Sequence, residues 1–163
     1  SDGNGRTGRL VNVLCLVQYG LIVEPVLYLS KYIIENKSEY YKRLLAVTSE
    51  GDWESWILFM LEGIEETSRV TLNKISGIRD VFTKYTQDFK EILPGTGSKS
   101  DIVEVVFDKP YCRISDVMEK CNVSRQTASL WLATLVSQGV LQKFKIGRRV
   151  LYINVRFMEI LKA

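Results

Sequence analysis

Ser1-Asp2-Gly3-Asn4-Gly5-Arg6-Thr7-Gly8-Arg9, followed without a break by Leu10-Val-Asn-Val-Leu-Cys-Leu-Val-Gln-Tyr19, is the stretch that decides how this 163-residue chain reads. Three glycines in the first eight positions let the backbone turn tightly and approach a ligand closely. An apolar helix starting just after them would offer free N–H groups and the positive end of its dipole, a combination suited to anions. Arg6 and Arg9 are three apart, so on a helix they share a face and can fork onto phosphate oxygens. Asp2 sets a carboxylate beside them. We read residues 1–9 as a polar Gly-rich loop and Leu10–Tyr19 as a helix apolar on almost every side, hence buried all round. Ten residues is long for a buried strand, and Gly20 stops the element.

Working outward, Pro25 can open a second helix reaching about Asn36. Ser38 is a candidate N-cap for Glu39–Val47, closed by Ser49-Glu50-Gly51. Asp52 can cap a long helical pattern, in which Trp53, Trp56, Met60 and Ile64 recur at helical spacing and are expected in the core. The pattern continues through Val70, Ile78, Phe82, Tyr85 and Phe89 to Ile92, with Asn73 and Gly77 as points where one helix could become two. Pro94-Gly-Thr-Gly-Ser98 reads as a linker. It divides the chain into residues 1–93, the linker 94–98, and a module over 99–163.

Beyond the linker come a short helix at Asp101–Phe107, a second at Ile114–Lys120, and a turn at Asn122–Ser124. Ser124 can cap a third helix, Arg125–Gln138, whose apolar set is Ala128, Trp131, Leu132, Leu135 and Val136. Val140–Lys145 and Val150–Asn154 alternate as strands of a hairpin, and Phe157–Leu161 forms a closing helical turn. The fold class is therefore mainly α with one small β-hairpin.

Charge follows the same division. Residues 1–98 hold 11 basic and 13 acidic side chains, and residues 99–163 hold 11 basic and 6 acidic. No acidic residue lies between Glu119 and Glu159. Such asymmetry points to two modules, the second one facing an anion. The chain has no histidine, which excludes a mechanism in which it supplies its own histidine base, and excludes a mixed Cys/His zinc site. Cys15, Cys112 and Cys121 lack metal-site spacing and read as reduced cytosolic thiols. The longest unbroken apolar run in Leu10–Leu29 is Val13–Val17, far short of the roughly 20 residues of a membrane span. The expected location is cytoplasmic. The start without Met is compatible with a fragment.

Asp2-Gly3-Asn4-Gly5-Arg6-Thr7-Gly8-Arg9 resembles the second half of the Fic family signature, His-Pro-Phe-x-(Asp/Glu)-Gly-Asn-Gly-Arg-x-x-Arg. Pro25–Ser30, Tyr40–Leu44 and Gly51–Trp56 resemble segments that follow it in bacterial Fic proteins, so the likeness covers roughly residues 1–70. The resemblance implies a mostly helical protein adenylyltransferase that moves AMP from ATP to a hydroxyl side chain of a protein substrate. It implies ATP and Mg²⁺ as cofactors, with Asp2 as metal ligand. Gly3, Asn4 and Gly5 would form the anion-binding turn, Arg6 would bind nucleotide phosphates, and Arg9 would contact the terminal phosphate. The family's histidine would lie three residues before Ser1. The chain thus resembles the C-terminal piece of a longer Fic protein, expected to be inactive alone. The inhibitory Ser/Thr-x-x-x-Glu-Gly/Asn helix of some members is not found in it.

The module over 99–163 resembles a winged helix-turn-helix, with Val123–Ala128 and Leu135–Leu141 as the ends of its recognition helix and Gly147-Arg148-Arg149 with Tyr152 as its wing. Such modules occur at the C-terminus of many Fic proteins. Arg125, Gln126 and Ser129 fall off the apolar face near the helix N-terminus that enters a DNA groove. Lys143, Lys145, Arg148 and Arg149 could meet phosphates. Trp131 and Tyr152 read as core and not as base-stacking residues. The expected partners are a hydroxyl-bearing protein substrate, duplex DNA and a second copy of the chain, with no membrane partner. Two functions stand side by side: the adenylyltransferase piece, and a DNA-binding regulator or toxin–antitoxin-like autoregulator. A hairpin that only solubilises the fold or contacts protein is a further alternative.

Overall fold

A computed structural model describes residues 4–93 and 99–163. Eight helices and three short strands follow in order among these residues. The chain is mainly α with one small antiparallel sheet. It divides into two compact units, Ser1–Asn73 and Lys74–Ala163, and the division falls inside a single helix. The linker read at 94–98 lies outside the described residues.

The first unit opens with α1, Asn4–Gln18. The helix starts six residues earlier than the sequence reading placed it. Asn4 to Arg9 are therefore helical turns and not a loop. Gly20 at φ 69° ends the segment as expected. The expectation that α1 is buried all round does not hold, since it contains no buried residue, and Leu10 and Leu14 are 66% and 60% exposed. Val13, Cys15, Leu16 and Val17 are only half-buried.

Helix α2 spans Leu29–Glu35. Pro25 does not open it, because Val26 N–H bonds the Glu24 carbonyl in a tight turn, and the chain stays non-helical to Tyr28. Helix α3 spans Lys37–Glu50, with Asn36 and not Ser38 before it, and Gly51 in the left-handed region closes it. Helix α4 runs unbroken from Trp53 to Ile92, through both Asn73 and Gly77. Asp52 caps it, accepting Ser55 N–H at 3.1 Å and the Ser55 hydroxyl at 2.5 Å. Those two bonds hold the Asp52 carboxyl below its ordinary range.

Leu29, Tyr32, Ile33 and Phe59 form the buried core of the first unit. Gly63 lets α2 approach α4, because a Cβ there would lie 2.5 Å from the Tyr32 ring. Arg43 sits 5.8 Å above the Phe59 ring and bonds Glu39 and the Ser55 carbonyl. Trp53, expected in the core, is 60% exposed. It occupies the first position of α4, ahead of the turn where α2 and α3 provide cover. Trp56 stays half-buried against Tyr40, with ring centroids 5.2 Å apart.

The second unit contains the end of α4, then α5 (Lys99–Asp108), β1 (Tyr111–Cys112), α6 (Ile114–Cys121), α7 (Arg125–Ser137), β2 (Leu141–Ile146), β3 (Arg149–Asn154) and α8 (Val155–Lys162). Asn122 at φ 49° ends α6, and Ser124 caps α7 by accepting Thr127 N–H at 3.2 Å. Gly147 at φ 60° makes the two-residue hairpin turn. Strand β1, absent from the sequence reading because it is only two residues long, pairs with β3 to give the order β1-β3-β2. Trp131, Phe89, Ile102, Leu132 and Leu135 are wholly buried, and Tyr152 is 4% exposed, so Trp131 and Tyr152 are core as read. No described helix is long and apolar enough to cross a membrane.

Candidate functional site

In the first unit, Asn4 and Gly5 occupy the first turn of α1, where N–H groups lack intrahelical carbonyl partners. The anion-binding turn predicted for them is thus a helix terminus. Asp2 and Gly3 lie outside the described residues. Arg6 and Arg9 stand one turn apart and line one groove together with Leu10, Val13, Pro25 and Tyr28. A Cβ on Gly5 would lie 3.4 Å from Arg9 Nη1, so the glycine leaves room for the guanidinium to fold back toward the helix start. The groove therefore sets two permanent cations at a dipole's positive end against an apolar wall. Guanidinium groups stay charged at any physiological pH and donate in a fixed fork. This donor set fits a polyphosphate. Among the described residues no group of three or more His, Cys, Asp or Glu is placed to hold a metal ion.

In the second unit, Arg125, Gln126 and Ser129 are all exposed along the N-terminal turns of α7. The buried face of the same helix, Ala128, Trp131, Leu132 and Leu135, fixes their outward direction. The hairpin cations are not one patch. The register pairs Lys143 with Tyr152 and Lys145 with Val150, while Arg149 pairs with Ile146. Alternation places Lys143 and Lys145 on one face of the sheet and Arg149 on the other, with Arg148 in the turn. Their closeness in sequence hid this separation, which follows only once the register is known. Sequence reasoning also passed over Tyr111, Phe144 and Ile146, exposed on that second face, and Asn154, a buried cap whose position just before a short amphipathic helix was a usable signal.

Residues 81–157 match the family model described as the C-terminal domain of SoFic-like protein adenylyltransferases. The match begins inside α4 and ends within α8, so it takes in the whole sheet and the helices around it. The second unit is thus similar to a domain found in protein adenylyltransferases of the Fic kind. The match covers 77 of the 163 residues and is consistent with the C-terminal part of a Fic family protein.

Proposed function

We propose that this chain forms the phosphate-binding and C-terminal portion of an enzyme that transfers AMP from ATP to a hydroxyl side chain of a protein. The observation that carries this reading is the placement of Arg6 and Arg9 on one groove at the N-terminus of α1. The family match over the second unit supports it independently. ATP would supply the phosphorus that is attacked, and Asp2 would hold Mg²⁺, which would supply neutralising charge. Arg6 would stabilise charge that builds on the phosphate oxygens during attack, and fixed donors of this kind lower the barrier. Arg9 would hold the terminal phosphate and so orient the leaving group. The 163 residues include no histidine, so the base that takes the hydroxyl proton would come from outside them. Labelled ATP, Mg²⁺ and a cell lysate should give labelled protein with a longer protein that carries the signature histidine, and none with this chain alone.

A second reading concerns the second unit. Exposed Arg125, Gln126 and Ser129 at the start of a capped helix, beside a hairpin with four cations, favour a winged helix-turn-helix that binds duplex DNA. Helix side chains would read base edges, and Lys143, Lys145, Arg148 and Arg149 would meet phosphates. Salt-dependent titration of residues 74–163 within the full chain against duplex DNA tests it.

A further inference from the structure

One face of the three-stranded sheet carries an apolar row that the core does not use. The pairs Cys112–Tyr152 and Leu141–Asn154 point into the core, where all four side chains are buried. The intervening pairs, Tyr111–Ile153, Gln142–Ile153 and Phe144–Leu151, lie on the opposite face, with Gln142 its one polar member before Ile146 at the hairpin end. Tyr111, Phe144 and Ile146 are 39%, 40% and 64% exposed. A lone exposed apolar residue means nothing, but a continuous row on a sheet face marks a contact surface.

The row has oppositely charged ends. Tyr111 also lines a cleft formed by α4, α5 and α6, with Phe82 and Phe107 on its wall. Glu104, Asp108, Asp116 and Glu119 line that cleft; Lys120 pairs with Glu104 at 3.1 Å and Lys109 with Asp108 at 3.6 Å, and Asp116 accepts Arg113 N–H, so the lining keeps an acidic excess of two. At the far end stand Arg149, on this same face, and Arg148 in the turn. The surface therefore runs from acidic, through apolar, to basic.

We propose that this surface is the interface of a two-fold symmetric dimer of the chain. A two-fold interface brings one patch against itself with its direction reversed. The basic hairpin tip of each copy then meets the acidic cleft of the other, while the two apolar rows cover each other. A basic partner of another kind would satisfy only the cleft and an acidic one only the tip, whereas a second copy satisfies both ends and the middle. Arg148 and Arg149 are shared with the proposed DNA contacts, so association is read without DNA, and Phe144 and Ile146, which the DNA reading does not use, carry the test.

Sedimentation velocity of the full chain, without DNA, at low and high micromolar concentrations tests this. A monomer–dimer equilibrium is expected. Phe144→Glu and Ile146→Glu should each weaken it about tenfold or more, because a charge is buried in the apolar centre. Ile146 is the more exposed, and an unchanged circular dichroism spectrum and melting temperature for that variant exclude misfolding. The pair Arg148→Glu and Arg149→Glu should weaken association, as should the pair Asp108→Lys and Glu119→Lys, and all four changes in one chain should recover it to within about threefold. A monomer at every concentration, a dimer that both glutamate substitutions leave intact, or a four-fold reversal that does not recover would each overturn the interface. Changes at Arg125 and Gln126, on α7 and outside this surface, read DNA binding separately.

Discussion

Asn154, at the end of β3, donates its Nδ2–H to the carbonyl of Val106 in α5, 48 positions earlier, at 3.1 Å. Its Oδ1 accepts Phe157 N–H at 3.1 Å and so caps α8. The side chain is 1% exposed. Val106 lies in the last turn of its helix, where carbonyls lack intrahelical donors. One amide thus ties the sheet, the helix before it and the helix after it. Replacing Asn154 by Leu removes a cap and leaves a buried carbonyl and a buried N–H unpaired. We expect a loss of about 2–4 kcal/mol from these two effects together. Denaturant unfolding followed by Trp131 fluorescence in a Trp53→Phe, Trp56→Phe background would measure it, and a loss below about 0.5 kcal/mol would mean that other groups satisfy both partners.

Gly63 provides a second test, within the first unit. Alanine favours a helix interior over glycine by about 1 kcal/mol. At Gly63 the added Cβ would meet Tyr32 Cδ1 at 2.5 Å and Leu29 Cδ1 at 3.2 Å. Crowding should win, with Gly63→Ala destabilising by about 1–3 kcal/mol. Gly8→Ala, where a Cβ would have nothing within 4 Å, is the control and should be neutral or stabilising. Thermal unfolding of the two variants side by side decides between propensity and packing.

The thiols report on the second unit. Burial, with Asp116 and Cys121 nearby, pushes the Cys112 thiol up to about 12, and burial with Asp101 nearby pushes Cys121 up to about 11. An unfolded thiol loses its proton near 8.5. Above that value the unfolded state binds fewer protons than the native one, so stability falls as pH rises. The contribution is fully present below about pH 8.5 and is lost between there and about 11 to 12. Unfolding midpoints across pH 8 to 11 should drop, and the Cys112→Ala, Cys121→Ala variant should flatten that drop. In the native chain a thiol reagent should modify Cys15, which is half-buried, well before the other two.

DNA binding, if carried by α7 and the hairpin, separates into two effects. Neutralising Arg148 and Arg149 together should weaken binding to every sequence and reduce the salt slope by about 2, one for each lost phosphate contact. Changing Arg125 or Gln126 should alter which sequence is preferred, since both are exposed at the start of α7. Anisotropy titrations at several salt concentrations read both. Affinity weaker than about 10⁻⁴ M at low salt would remove the DNA reading, because it falls below ordinary non-specific binding.

Most helices were legible because their signals are local. Asp52 and Ser124 cap where a side-chain oxygen precedes an apolar period, and Gly51 and Gly147 end elements at positive φ. The errors have tertiary causes. Asn4 to Arg9 read as loop because glycine disfavours helix, yet the helix includes them. Trp53 read as core from its spacing with Met60, but spacing cannot say where the covering elements end. At the site, the three-residue spacing of Arg6 and Arg9 gives a shared face only on a helix, and the sequence reading places them in a loop; in the structure both line one groove. The division of the hairpin cations between two faces was not legible, because it depends on a pairing register that a two-residue strand and a turn set jointly.

Transfer of labelled AMP tests the central claim most directly. The measurement compares this chain, a longer protein in which the signature histidine precedes it, and that protein with Arg6→Ala and Arg9→Ala. A labelled protein target is expected only with the longer form, with a loss of about 10²-fold or more in the double variant and a larger loss of affinity for ATP than for ADP from Arg9→Ala alone. Labelling by the 163-residue chain alone, or undiminished transfer by the double variant, would contradict it.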